Sequence, residues 1–464
     1  MKYWFYIFFA AIVWIGCFLP SNAQNKKNES HTPDVFKTQT PNRSFDIILA
    51  NPSHTSIHLT VVCYKRTNGY FEYRDIKQTR FKKTNNQNWY AQEMKEIKLD
   101  QLVPGNQYVY RFIYQTDSTS GWMQSSDFTF NTAALHQTSF QFAVQADSHL
   151  DNNTDTAVYA QSLRNIEHSG SAFMVDLGDT WMTDKYRPDY SLSVDQYAAQ
   201  RYYFGIPGKR MPVFFTLGNH DGETGKRKEQ AMCEWAYNTR SKHFINPTIP
   251  NTNHNQTASY QNYYSWIWGD GLFIVLDPFR YTTDPKDPWN RTLGEDQYQW
   301  LKKTLEASKA RFKAVFIHNL VGGQDKKGMA RGGAEASLFY EWGGLNTDST
   351  DGFPTHRPGW EAPIHALLKK HGVSIVFHGH DHFYAKQERD GIIYQLVPQP
   401  GLYRDGNNQI ASEYGYSEGV FYQAPGYLFV TVDNEKIDVQ FKQTKTGNLT
   451  VNEFVKHQYT LPID

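Results

Sequence analysis

Cysteine is scarce in this 464-residue chain, with three in all. Cys17 falls in the N-terminal apolar stretch, while Cys63 and Cys233 lie far apart in candidate domains of different character. No disulfide framework is supported, and both read as small buried residues. Net charge is lacking as well: Lys plus Arg is 47 and Asp plus Glu is 47. Such a balance leaves no electrostatic footprint for nucleic acid or for an anionic membrane surface. No apolar run is long enough to span a bilayer, because residues 3–15 are too short to do so comfortably. Internal repeats and low-complexity tracts are absent. Aromatic residues, in contrast, make up 16% of the chain. Many fall in loops and edge strands, which suits a protein that handles a ligand at its surface.

The length allows two or three domains with cores of their own. Residues 1–23 read as a secretory signal: Lys2 gives a minimal positive start, residues 3–15 are apolar, and Ser21-Asn22-Ala23 offers small residues for cleavage. The expected location is therefore periplasmic or extracellular. Gly16-Cys17 offers a second outcome, cleavage before Cys17 with lipidation there, although Trp14 stands where such signals have a small aliphatic residue. Residues 24–43 are polar and read as a flexible lead-in. Residues 44–135 carry short alternating strands at 57–64, 90–99 and 107–114, separated by turn signals such as Thr67-Asn68-Gly69 and Pro104-Gly105-Asn106. That pattern predicts an antiparallel β-sandwich. Across 136–464, strands alternate with helices, the amphipathic 155–168 and 294–308 among them. This predicts an α/β domain with a layered αββα arrangement. Residues 319–361 show no clear secondary structure and many glycines, so they read as an active-site wall or lid.

The chemistry gathers in five short groups: Asp147-Ser148-His149, Gly178-Asp179, Gly218-Asn219-His220-Asp221, His318 and Gly379-His380-Asp381-His382. Each follows an apolar run that reads as a buried strand, so the groups should collect at one sheet edge, where open α/β sheets bind ligands. A lone Asp-x-His is usually incidental, and a lone Gly-Asn-His-Asp is more often a turn. All five in order, each after a strand, are a different matter. Side chains at i and i+2 of an extended chain point the same way, so Asp147 with His149 and His380 with His382 should act as pairs. Carboxylate and imidazole together suit Zn, Fe or Mn rather than Ca. Seven ligand-type groups, Asn219 among them, are too many for one tetrahedral ion and about right for two ions sharing a carboxylate.

This series resembles the calcineurin-like metallophosphoesterases over residues 139–399. The resemblance implies two divalent ions. Asp147, His149 and His382 match the ligands of the first, and Asn219, His318 and His380 those of the second. Asp179 matches the bridge, His220 a histidine that faces the substrate, and Asp221 the carboxylate that orients it. The stretch from Leu102 to Arg111, together with Phe128-Thr129-Phe130-Asn131-Thr132, resembles the end of a fibronectin type III-like domain. Purple acid phosphatases carry such a domain ahead of their catalytic domain. They also place a tyrosine three residues after the bridging aspartate, where this chain has Met182, and a glycine where it has His149. The chain thus resembles a non-purple relative.

The implied function is a secreted hydrolase of phosphate esters, monoester or diester, free or glycan-linked. A metal-bridging hydroxide would be the nucleophile, with His220 assisting the leaving group. Arg331, in a glycine-rich stretch, could bring its guanidinium to a phosphate. Asn319 could contact substrate, and Trp181 could wall the pocket. Two other readings stay open: hydrolysis of another tetrahedral ester such as a sulfate, and a non-catalytic, metal-containing carbohydrate- or surface-binding protein.

Overall fold

A computed structural model describes residues 35–116, 121–135, 139–249, 260–322, 331–402, 409–445 and 451–463, with Met1 and Gly447 besides. The signal, the lipidation site at Cys17 and most of the lead-in lie outside the described residues. The rest is a mixed α/β structure that opens with two antiparallel sheets. One holds Phe45–Ala50, Ile57–Cys63 and Met94–Leu99 in antiparallel register. The other is built on Thr67–Asp75 and Gln107–Gln115, paired from Asn68↔Gln115 to Asp75↔Tyr108. Alternation places Leu59, Val61, Phe71, Tyr110 and Phe112 in the core between them. Cys63 and Cys233 are buried free thiols.

From Phe140 onward two further sheets stack face to face. The six-stranded one runs Val213–Phe215, Met174–Asp176, Phe140–Gln145, Gly426–Val432, Lys436–Thr444, Glu453–Pro462. The seven-stranded one places the parallel run Gly271–Val275, Phe312–Ile317, Ile375–His378, Ile392–Leu396 at its centre. Aromatic rings fill the gap between the sheets. Phe142 stacks on Phe173 at 5.0 Å, and Phe316 stacks on Phe377 at 5.2 Å. Helices cover both outer faces: Thr156–His168 and Val194–Gly208 on the first sheet, Glu295–Ala307 and Ile364–Lys370 on the second. The expected αββα layering is the layering found. No helix among the described residues is long and apolar enough to cross a membrane.

Two expectations change. The ligand groups do not sit at the edge of one sheet. Asp147, Asp179 and Asn219 follow strands of the six-stranded sheet, and His318, His380 and His382 follow strands of the seven-stranded one. The site therefore lies where both sheets end. The second change concerns residues 319–361, of which 323–330 lie outside the described residues: Asn319 and Val321 line a pocket with Asn219 and His380, and 331–361 are not without secondary structure. Short helical turns at Ala336–Leu338, Tyr340–Gly343 and Phe353–His356 pack them down, with Trp342 fully buried against the second sheet.

Residues from Asp34 to Asp464 form one compact unit, and helix Val194–Gly208 is its joint. Arg201 on this helix is fully buried and donates to the carbonyls of Thr60 and His243. Tyr110 Oη donates to Lys209 O at 2.7 Å, and Leu49 bridges Pro212. Truncating this side chain removes a charge-assisted bond to each carbonyl and opens a cavity in the joint. Arg201→Ala should therefore destabilise the protein by about 3 kcal/mol, read by calorimetry as a lowered Tm of the whole Asp34–Asp464 unit.

Candidate metal centre

The ligand loops turn back sharply as they leave their strands. Asp147, His149, Asp179, His380 and His382 all have left-handed backbone, with φ of 58°, 48°, 54°, 75° and 66°. Their side chains converge through these turns rather than through the i, i+2 geometry of an extended chain. Such backbone costs about 1 kcal/mol or more at each non-glycine residue, so the surroundings must hold it. They do so by close approach. A Cβ on Gly218 would lie 2.1 Å from Asp179 N, and one on Gly379 would lie 2.7 Å from Asp147 Oδ2. Gln399 Nε2 donates to Asp147 O at 2.8 Å, and His380 N donates to Asp147 Oδ2 at 2.9 Å. The second of these bonds ties the two sheets together at the site.

Two clusters result. Asp147, His149, Asp179 and His382 present ligand atoms within 4.8 Å of one another, and so do Asp179, His318 and His380. Asp179 belongs to both. Asn219 Oδ1 lies 3.1 Å from His318 Nε2 and so joins the second cluster. Within the first, His149 Nε2 is 3.7 Å from Asp147 Oδ1 and 3.7 Å from Asp179 Oδ2, and His382 Nε2 is 3.3 Å from Asp147 Oδ1. In the second, His318 Nε2 is 3.4 Å from Asp179 Oδ2. Ligands sharing a tetrahedral ion at zinc-like bond lengths stand about 3.4 Å apart.

Two further observations show that the residues fit a cation. Asp147 Oδ1 and His149 Nε2 are buried without a hydrogen-bond partner, a costly state for polar atoms unless an ion stands between them. Burial lowers His380 and His382 toward the neutral form in which imidazole binds a metal. Burial alone would raise the Asp147 carboxyl, but the His382 and His149 imidazoles hold it well below the usual carboxylate range. Burial likewise opposes charge on His318, yet Asp179 and Asp147 push that imidazole up to about 9.

The histidine rings are oriented from behind. His318 Nδ1 donates to Leu177 O at 2.8 Å, which leaves Nε2 for the cluster. His149 Nδ1 meets Asp151 Oδ2 at 3.3 Å, a carboxylate–histidine pair of the kind that fixes ring and tautomer at metal sites. His220 Nδ1 meets Asp184 at 3.0 and 3.1 Å, while His220 N donates to Asp179 Oδ1 at 2.8 Å. The carboxylate on His220 is thus Asp184, not Asp221. Asp221 is fully buried and accepts four backbone N–H groups, from Gly218 at 2.7 Å, Thr180 at 2.8 Å, Trp181 at 2.8 Å and Asp179 at 3.1 Å.

The three residues expected to touch substrate separate. Asn319 lines a pocket of about 260 Å³ together with Asn219 and His380. Trp181 does not wall it: the ring is fully buried and stacks on Tyr197 at 5.2 Å, packed also against Phe215 and Phe244. Arg331 donates to Asp381 Oδ1 at 2.6 Å and lies 4.0 Å over the Tyr414 ring. Asp381 also takes Tyr416 Oη at 2.7 Å. Arg331 therefore braces the turn that carries His380 and His382.

Removing the support behind His149 should weaken the first cluster. Asp151→Ala is expected to lower metal affinity at the Asp147, His149 and His382 cluster about 10–100-fold, measured by competition with a chromophoric chelator.

A solved structure of PhoD superposes with a TM-score of 0.65 at 16% identity, covering 92% of each chain. A purple acid phosphatase from yellow lupin (Lupinus luteus) seeds superposes with a TM-score of 0.61 at 13% identity, over 90% of this chain and 74% of that one. At these identities the likeness is one of fold. No curated protein sequence matches this chain. Residues 140–384, more than half of the chain, match the calcineurin-like phosphoesterase family model, and the protein belongs to that family.

Proposed function

We propose that this protein is an exported hydrolase of phosphate esters that works with two divalent ions. The observation that carries the proposal is the pair of ligand clusters meeting at Asp179. Asp147, His149 and His382 would hold one ion, Asn219, His318 and His380 the other, with Asp179 between them. Ions of the Mn, Fe or Zn type bound there would supply Lewis acidity at the ester oxygens and an activated water as nucleophile. Met182, buried after the bridge, supplies no phenolate, so no purple chromophore is expected.

The chain's own residues do the rest. Asp184 holds the Nδ1–H of His220, and in its doubly protonated form the ring presents a second proton on Nε2 to the leaving oxygen. As the P–O bond breaks, a proton passes from His220 to that oxygen. Asn319 contributes an amide at the pocket wall. Asp221 acts on the backbone of both loops rather than on His220. Export is supported by the N-terminal pattern of Lys2, residues 3–15 and Ser21-Asn22-Ala23. Residues 44–135 form the accessory domain in this reading and 136–464 the catalytic one, fixed rigidly together through Arg201.

Stripping the protein with a chelator should abolish release of p-nitrophenol from its phosphate esters, and Mn or Zn should restore it. His220→Ala should lower kcat about 10²–10⁴-fold with metal content unchanged, and Asp184→Asn should cost about 10–100-fold. Full metal loading without turnover on any phosphate ester would contradict the proposal.

A further inference from the structure

We propose that the natural substrate is a phosphodiester, and that the pocket beside Asn219 and His380 receives the substituent that stays on phosphorus. This rests on the hydrolase reading above and goes beyond it by choosing between monoester and diester.

The pocket is built, not incidental. Its volume is about 260 Å³, and Pro278, Phe279, Pro285 and Val321 give it an apolar wall. Gly225 N donates to Phe279 O at 3.1 Å, joining its two sides, and a Cβ on Gly225 would lie 2.1 Å from Arg280 O. Thr282 Oγ1 donates to Pro278 O at 2.8 Å and holds the proline corner. Phe279 reaches the centre itself, its ring 5.9 Å from that of His318. Charge on the wall is compatible with an anionic ester. Glu223 is tied to Arg240 at 2.5 and 3.1 Å, while Lys226 and Arg291 face the same space.

The placement points to the ester class. The pocket opens on Asn219 and His380, and His220 does not line it. In an in-line displacement the leaving oxygen departs beside its proton donor, which is His220. A group seated in this pocket is therefore not the leaving group. A monoester carries only one organic substituent, the one that leaves, and has nothing to place here. A diester has a second. Hydrolysis adds water across one P–O bond: the water oxygen joins phosphorus, the departing alcohol takes a proton from His220, and the monoester of the retained alcohol is released.

Three p-nitrophenyl esters share one leaving group and differ only in what remains on phosphorus: the phosphate, the methylphosphonate and the phenylphosphonate. With the full chain loaded with Mn or Zn, kcat/KM should be about tenfold or more higher for phenyl than for methyl and lowest for the phosphate monoester. Thr224→Phe, which intrudes on the pocket, should bring the phenyl-to-methyl ratio close to one. Phe279→Leu, which trims the wall and is the milder change, should lower the same ratio. A phosphate monoester preferred over both phosphonates, with a phenyl-to-methyl ratio near one before and after substitution, would overturn the inference while leaving the hydrolase reading intact. No turnover on any of the three with metals bound would overturn both.

Discussion

A single buried carboxylate holds two ligand loops in register. Asp221 collects N–H groups from Gly218 on its own loop and from Asp179, Thr180 and Trp181 on the neighbouring one. Burial and the Asp179 charge push the Asp221 carboxyl up to about 7, and the N–H groups of Trp181 and Gly218 draw it back toward the charged form, in which such bonds are strongest. They bring Asp179 and Asn219 together at the ends of adjacent parallel strands, and they stabilise left-handed backbone that would otherwise relax. Everything else at the site depends on that junction. Asp179 can face both clusters only because its main chain is fixed from behind. His220 takes its place by donating its N–H to Asp179 Oδ1.

The second constraint is the facing of the two sheets. Aromatic packing between them sets the distance across which His318, His380 and His382 must reach Asp147 and Asp179. The bond from His380 N to Asp147 Oδ2 closes that span, and Gly379 is required because a Cβ there would collide with the same carboxylate. Arg331, Asp381 and Tyr416 then hold the histidine turn from its outer side. The N-terminal sheets stand outside this chemistry, but Arg201 couples them to the helix that covers the catalytic sheet.

The metal-type residues were legible in the sequence because their signal is redundant: Asp, Asn and His recur directly after buried strands, in an order that chance seldom produces. The layering was legible for the same reason, through the alternation of strand and helix. The residues behind them were not. Asp184 reaches His220 through a left-handed Met182 and a short helical turn at Thr183–Tyr186, a path that no spacing encodes. Asp151 hides in an ordinary Asp-Asn-Asn turn. Trp181 sits beside a ligand in sequence yet turns into the core, since neighbours along a bent loop need not face the same way. Helix Val194–Gly208 shows no amphipathic stripe because it is buried against both sheet systems, with Gln196, Gln200 and Arg201 all inside. Residues 331–361 look loop-like because their order comes from tertiary packing around Trp342 rather than from periodicity.

The central claim is that Asp179 is shared by two ions. It is tested most directly by anomalous diffraction at the metal edge from crystals of the chain reloaded with Mn or Zn. The account predicts two peaks about 3.5–4 Å apart, one toward Asp147, His149 and His382 and one toward Asn219, His318 and His380, with Asp179 between them. A single peak at full loading, or two peaks with Asp179 contacting neither or only one, would contradict it.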